Sequence, residues 1–154
     1  MEENIRTIVV MLCRLGRQLC ALPLTHVVET MRPLPIRVMP GRPVFMSGLS
    51  LVRGAPLPIV NGAVLIGEPA TPPGRFVTLQ VGARQIVLAV QEVVGIAALA
   101  ADLLEHSPPI LARIQVETVA TITALDSEFL WLFDAARIVP AEVAQADELA
   151  RATA

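Results

Sequence analysis

At 154 residues the chain has room for one domain, or for two small lobes packed closely together. An apolar content of 54% excludes a disordered tail, and a net charge of −2, with every basic residue an arginine, excludes the cationic footprint of a nucleic-acid binder. No apolar run reaches the roughly 18 residues of a membrane span, and Met1-Glu2-Glu3-Asn4 lacks the basic start of a signal peptide, so a cytoplasmic location is expected.

Thirteen prolines and nine glycines, spread along the chain, favour short strands and turns over long helices. Ile8 to Leu15 reads as an apolar strand, Gly16-Arg17 as a turn and Leu19 to Leu24 as the returning strand. A two-residue hairpin loop there sets Cys13 directly opposite Cys20. That geometry permits a disulfide, whereas a reducing compartment leaves two buried thiols acting as small hydrophobes. Thr25 is placed to cap a short helix from Thr25 to Met31 that displays His26, Val27, Val28 and Glu29. His26 has no second ligand at metal spacing and reads as a solvated histidine. Arg32 to Pro43 is a proline-rich loop around an extended Ile36-Arg37-Val38-Met39.

Gly48 to Val60, GLSLVRGAPLPIV, is an apolar hairpin with one charge, Arg53, beside a turn at Gly54-Ala55. Arginine is rarely buried, so Arg53 either caps carbonyls of its own hairpin or is displayed to a partner. Asn61 to Gly67 reads as a turn of helix and Glu68 to Gly74 as a connector. The pattern then repeats. A shift of 66 places sets VMLCRLGRQLCALPLTHVV over FVTLQVGARQIVLAVQEVV, and a shift of 73 sets LPIVNGAVL over LWLFDAARI. A doubled unit predicts two similar lobes sharing a buried seam. Leu99 to Glu105 reads as a short helix, His106 to Pro109 as a loop, Val116 to Leu125 and Glu128 to Phe133 as the last hairpin, and Ala141 to Ala154 as a helical tail.

There is no P-loop, dinucleotide glycine fingerprint, H-E-x-x-H or G-x-S-x-G. Cys13 and Cys20 lie on strands that read as core, away from the exposed, electropositive setting a thiol nucleophile needs. No catalytic residue, metal or cofactor is expected. High apolar content without chemistry points to binding through exposed contact patches.

The central hairpin resembles a signature of the CheW family, the adaptors of bacterial chemosensory arrays. Gly48, Val52, Arg53, Gly54, Pro58, Ile59 and Val60 fit it, while Leu51 stands where Asn is usual and Asn61 where Asp is usual. LGRQLCALPLTHVVE is similar to the family's opening hairpin and helix, with Glu29 at its acidic position. RFVTLQVGARQIVLAVQEVVGI is similar to its second hairpin, with Gln91 replacing a common Asp. The resemblance runs from about Ile8 to about Val139. It implies a mainly β fold of two packed five-stranded SH3-like barrels with few short helices. Residues 1–140 would form the domain, as intertwined lobes near 8–70 and 75–139, followed by the tail 141–154. It also implies a non-catalytic adaptor between chemoreceptors (methyl-accepting chemotaxis proteins) and a CheA-type histidine kinase, recruited to membrane-associated arrays without inserting into the membrane. The receptor's cytoplasmic tip would meet Leu24, Val27, Val28, Glu29 and Arg53, with Val27 exposed enough to accept a charge without loss of stability. The kinase regulatory domain would meet Ile36, Pro40 and Phe45. The alternatives are a CheW-like scaffold in a system controlling pili, gliding or development, and a ligand- or protein-binding module with no kinase partner.

Overall fold

The computed structural model describes residues 6–104 and 119–133. Ten strands run through them: β1 (Thr7–Leu15), β2 (Gln18–Pro23), β3 (Val27–Met31), β4 (Met46–Val52), β5 (Ala55–Asn61), β6 (Arg75–Val81), β7 (Arg84–Val90), β8 (Glu92–Ala100), β9 (Val119–Leu125) and β10 (Glu128–Phe133). One short helix, α1 (Gly62–Leu65), follows β5, and two 3-10 turns span Leu24–His26 and Ala101–Leu104. Four two-residue turns close the hairpins β1–β2, β4–β5, β6–β7 and β9–β10. The first turn residue has positive φ in each: Gly16, Arg53, Gly82 and Asp126. This handedness matches the twist of the flanking strands. The third turn residue pair in that series sits as the repeat requires, Gly82 falling 66 places after Gly16. The central turn is Arg53-Gly54, one residue earlier than the expected Gly54-Ala55, because Val52 pairs with Ala55.

The strands form two five-stranded sheets, ordered β8-β1-β2-β10-β9 and β3-β6-β7-β5-β4. The expected mainly β fold with two five-stranded units is therefore present. The sheets cut across a division into 8–70 and 75–139: the strand after each repeat's first hairpin pairs with the other repeat. β3 runs antiparallel to β6, and β8 antiparallel to β1. Each sheet also has one parallel contact, Leu132 opposite Ala21 and Ile59 opposite Val87. These two pairs are the same pair under the shifts of 73 and 66.

The buried side chains follow that symmetry. A shared core takes Met11, Cys13, Cys20 and Leu22 from one sheet and their repeat equivalents Val77, Leu79, Ile86 and Leu88 from the other. Val10, Ala21, Leu130 and Leu132 fill one lobe, and Phe76, Val87, Leu57 and Ile59 occupy the equivalent places in the second. Cys13 faces Cys20 in register, and both are free thiols and fully buried. Burial pushes the Cys13 thiol up to about 12, and burial followed by the neighbouring Cys13 raises Cys20 as well.

One predicted helix is largely a strand instead, and a second loses its first two residues to a strand. The expected helix at Thr25–Met31 is a 3-10 turn, Leu24–His26, leading into β3; Thr25 caps nothing, and Pro23 precedes the turn. Val27, Val28 and Thr30 are β-branched, and the open edge of β6 offers a ladder that a helix would forgo. Likewise Leu99 and Ala100 end β8, and only Ala101–Leu104 coil. Asn61–Gly67 does turn into helix, with Asn61 Oδ1 accepting from the Val64 amide at 3.2 Å as N-cap. The loop at His106–Pro109, the start of the last hairpin at Val116 and the tail 141–154 lie outside the described residues.

Candidate functional site

Arg53 and Glu29 are 24 residues apart in sequence and meet in space. Arg53 Nε donates to one Glu29 carboxylate oxygen at 2.9 Å, and Nη2 to the other at 2.7 Å. The two parallel bonds form a fork between the β4–β5 turn and strand β3, the two edges of one sheet. The hydrogen bond from Arg53 holds the Glu29 carboxyl below the usual carboxylate range, and Glu29 raises the Arg53 guanidinium in return. The Arg53 side chain is 79% exposed and Glu29 25%, so the pair stands at the surface with the arginine outermost. Arg53 caps no carbonyl of its own hairpin.

Val28 adjoins this pair and is the extra residue of a β-bulge: Val27 faces Leu79 and Glu29 faces Thr78, leaving Val28 unpaired and 49% exposed. Bulges re-aim side chains, and this one turns a valine outward beside a charge pair. Leu24 and Val27 are half-buried and lean on the shared core instead. Of the five expected receptor residues, the structure thus gathers Val28, Glu29 and Arg53 at the surface and assigns Leu24 and Val27 partly to packing. The assumption of an exposed Val27 is corrected by the strand: opposite Leu79 it turns onto the shared core, while the bulge at Val28 sets Glu29 and Met31, opposite Thr78 and Phe76, on the other face.

The residues the sequence reading missed are Val94 and Ile96. Val94 is 66 places after Val28, is also a bulge residue, skipped between Leu12–Gly95 and Cys13–Val93, and is also 49% exposed. Ile96 is exposed on the same edge strand. The repeat alignment, which sets Val28 over Val94, was the available signal.

The segment between β3 and β4 is held as a fixed strap. The Arg37 amide donates to the Leu49 carbonyl at 2.7 Å and its carbonyl accepts from the Leu49 amide at 2.9 Å, while Ser50 Oγ donates to the Pro35 carbonyl at 2.8 Å. Gly48 permits this approach: its φ is +148°, and a Cβ there would lie 2.1 Å from the Arg37 carbonyl oxygen. Among the three expected kinase residues, Ile36 packs partly into a lobe interior, Phe45 partly onto the shared core, and Pro40 is exposed. Arg32, where this strap begins, lines an open cleft of about 620 Å³ with Arg75 and Glu92.

The three unusual positions separate into two kinds. Asn61 caps α1, and Gln91 accepts from the Gly16 amide while donating to the Thr71 and Pro72 carbonyls, so both serve the scaffold. Leu51 is 71% exposed and two residues from Arg53, so it enlarges the surface patch. His26 lies against the Gln80 carbonyl, with its Nδ1 at 3.1 Å. Among the described residues, no three His, Cys, Asp or Glu side chains could share a metal ion, and no helix is long and apolar enough to cross a membrane.

These features can be set beside known proteins. The model of the CheW-like domain matches residues 9–143. A relative named as a probable chemotaxis protein CheW, from Rhizobium etli, is 29% identical over 124 residues, covering 79% of this chain and 80% of the relative. The crystal structure of the scaffolding protein TtCheW from Thermoanaerobacter tengcongensis matches with a TM-score of 0.72 over 84% of this chain and 90% of that one. At 18% identity this likeness concerns the fold.

Proposed function

This chain belongs to the CheW-like domain family, whose members are non-catalytic scaffold adaptors in chemotaxis, and on that premise we propose that it couples a chemoreceptor's cytoplasmic tip to the regulatory domain of a CheA-type histidine kinase. The observation that carries this reading is the displayed Arg53–Glu29 fork beside the outward-turned Val28 and the exposed Leu51. A receptor tip is a helical hairpin, and a helix needs apolar anchors for affinity and a fixed charge for register. Val28 and Leu51 supply anchors, and the outermost face of the Arg53 guanidinium supplies the charge. The strap carrying Ile36, Pro40 and Phe45 would meet the kinase. Work by such a protein is a coupling free energy: a receptor state that changes its grip on one surface changes kinase engagement at the other. The protein would act in the cytoplasm at membrane-associated arrays.

Reconstitution of the full chain with receptor-tip fragments and the kinase tests this. The expected result is receptor-dependent kinase activity that needs the chain and falls in Val28→Glu while the melting temperature holds. A chain that binds neither receptor tip nor kinase would instead be a binding module of another system.

A further inference from the structure

We propose that the strap from Arg32 to Val44 is a preformed cationic docking face for an acidic protein surface. The partner is named by resting on the reading above: an acidic patch of the kinase regulatory domain. The strap, RPLPIRVMPGRPV, carries Arg32, Arg37 and Arg42 at intervals of five. Between Glu29 and Glu68 the chain has four arginines and no acidic residue. Residues 27–90, which contain all five strands of one sheet, hold six arginines and two glutamates, in a chain whose net charge is −2. Arg32, Arg37 and Arg42 are exposed and make no ion pair with a described residue; Arg42 Nη1 reaches only the Met39 carbonyl, at 3.4 Å. Arg14 and Arg53, elsewhere on the surface, each hold a carboxylate. Val38 and Val44 are 59% and 87% exposed. Along its sequence the strap therefore mixes exposed guanidinium groups with exposed apolar side chains.

Rigidity argues for a protein occupant. Pro33, Pro35, Pro40 and Pro43 restrict the backbone, and the Arg37–Leu49 and Ser50–Pro35 bonds anchor it to β4. A surface so held loses little freedom on docking. Polybasic membrane segments, by contrast, cluster about four to eight cations in one flexible run. A fixed patch of one sign steers an oppositely charged partner and acts mainly on the association rate.

The test measures binding of the full chain to the purified kinase regulatory domain at about 50 and about 300 mM salt, which shortens the screening length by a factor of about 2.5. The association rate should fall about tenfold at the higher salt, and by a similar factor at low salt in R32Q/R37Q/R42Q. The dissociation rate and melting temperature should hold, and R32K/R37K/R42K should recover the rate. Binding that ignores salt and survives R32Q/R37Q/R42Q overturns the inference and leaves the adaptor reading standing. If the kinase domain fails to bind at any salt, the adaptor reading falls and poly-L-glutamate becomes the deciding probe. Salt-sensitive binding to it, lost in R32Q/R37Q/R42Q, supports the acidic-surface inference; no binding overturns it. Tighter binding to phosphatidylserine vesicles than to either acidic protein probe overturns it in favour of a lipid surface. A salt-sensitive dimer in sedimentation, abolished by R32Q/R37Q/R42Q, overturns it in favour of a second copy.

Discussion

Arg53 holds a φ of +51° and Gly54 one of +81°, the two positive values of a turn that ordinarily takes Asn-Gly. An arginine in this conformation serves the backbone poorly, so its presence points to a use for the side chain. Arg53→Asn should therefore keep or raise the melting temperature while breaking the fork to Glu29 and weakening receptor–kinase coupling. Melts and the reconstituted assay on the same protein separate the two effects, and a large drop in melting temperature would make the fork structural. The folded Glu29 pKa is depressed, so whatever the fork contributes is present above the ordinary carboxylate range and is lost as pH falls through the lowered value. Thr78 poses the opposite case. It is buried in β6, its Oγ1 has no partner among the described residues, and its repeat equivalent is Leu12. Removing an unsatisfied hydroxyl removes its desolvation penalty, so Thr78→Val should stabilise by about 1–3 kcal/mol in urea denaturation. The charge at Arg53 was legible in sequence; its partner was not, because that depends on where β3 comes to rest, and its backbone conformation was not, because it follows from the pairing of Val52 with Ala55.

Strand β3 shows why. Read alone, Thr25 to Met31 offers an N-cap residue followed by an apolar stretch, and a short helix is a fair local reading. Its five residues Val27–Met31 instead alternate between half-buried and exposed, because β6 supplies a ladder from about fifty positions downstream. The reassignment reverses the expected behaviour of Val27 and sets it apart from its neighbour. Val27→Glu should destabilise by more than about 1 kcal/mol, since Val27 packs on the shared core. Val28→Glu, on the bulge, should stay within about 0.5 kcal/mol of the parent. Paired thermal melts check both, and equal losses would mean that the bulge places the valines otherwise. The hairpins themselves were readable, and the β1–β2 register with Cys13 facing Cys20 matches, because a two-residue turn fixes pairing locally.

For the whole molecule, the exchange of β3 and β8 between repeats makes one shared core out of two small lobes. Each unit is too short to bury a large core alone, and the seam supplies the missing apolar area. Cys13 and Cys20 lie in that seam, which ties its integrity to pH. Their folded-state pKa values are raised, so their stabilising contribution as neutral thiols is complete below the ordinary thiol pKa and is lost as pH rises above it. Stability should fall above pH ~9 by up to about 1.4 kcal/mol per pH unit for each thiol. Cys13→Ala/Cys20→Ala should flatten that slope even if it lowers stability at neutral pH. Urea titrations between neutral and alkaline pH provide the measurement, and an unchanged slope in the double variant would assign the alkaline loss to other groups. Native thiols should also react with a thiol reagent only at the rate at which the seam opens.

The amino-acid sequence by itself determined the β class, the hairpins, the inner faces of the first two strands and the doubling of the unit. These follow from turn chemistry, apolar alternation and a repeat, all of which act over a few residues or recur at a fixed shift. Tertiary structure decided which sheet receives the third strand of each repeat, whether Val27–Met31 coils or extends, and that Arg53 meets Glu29. Those outcomes rest on contacts between distant segments, where the free energy of filling a shared core and completing a ladder exceeds the small local preference for helix.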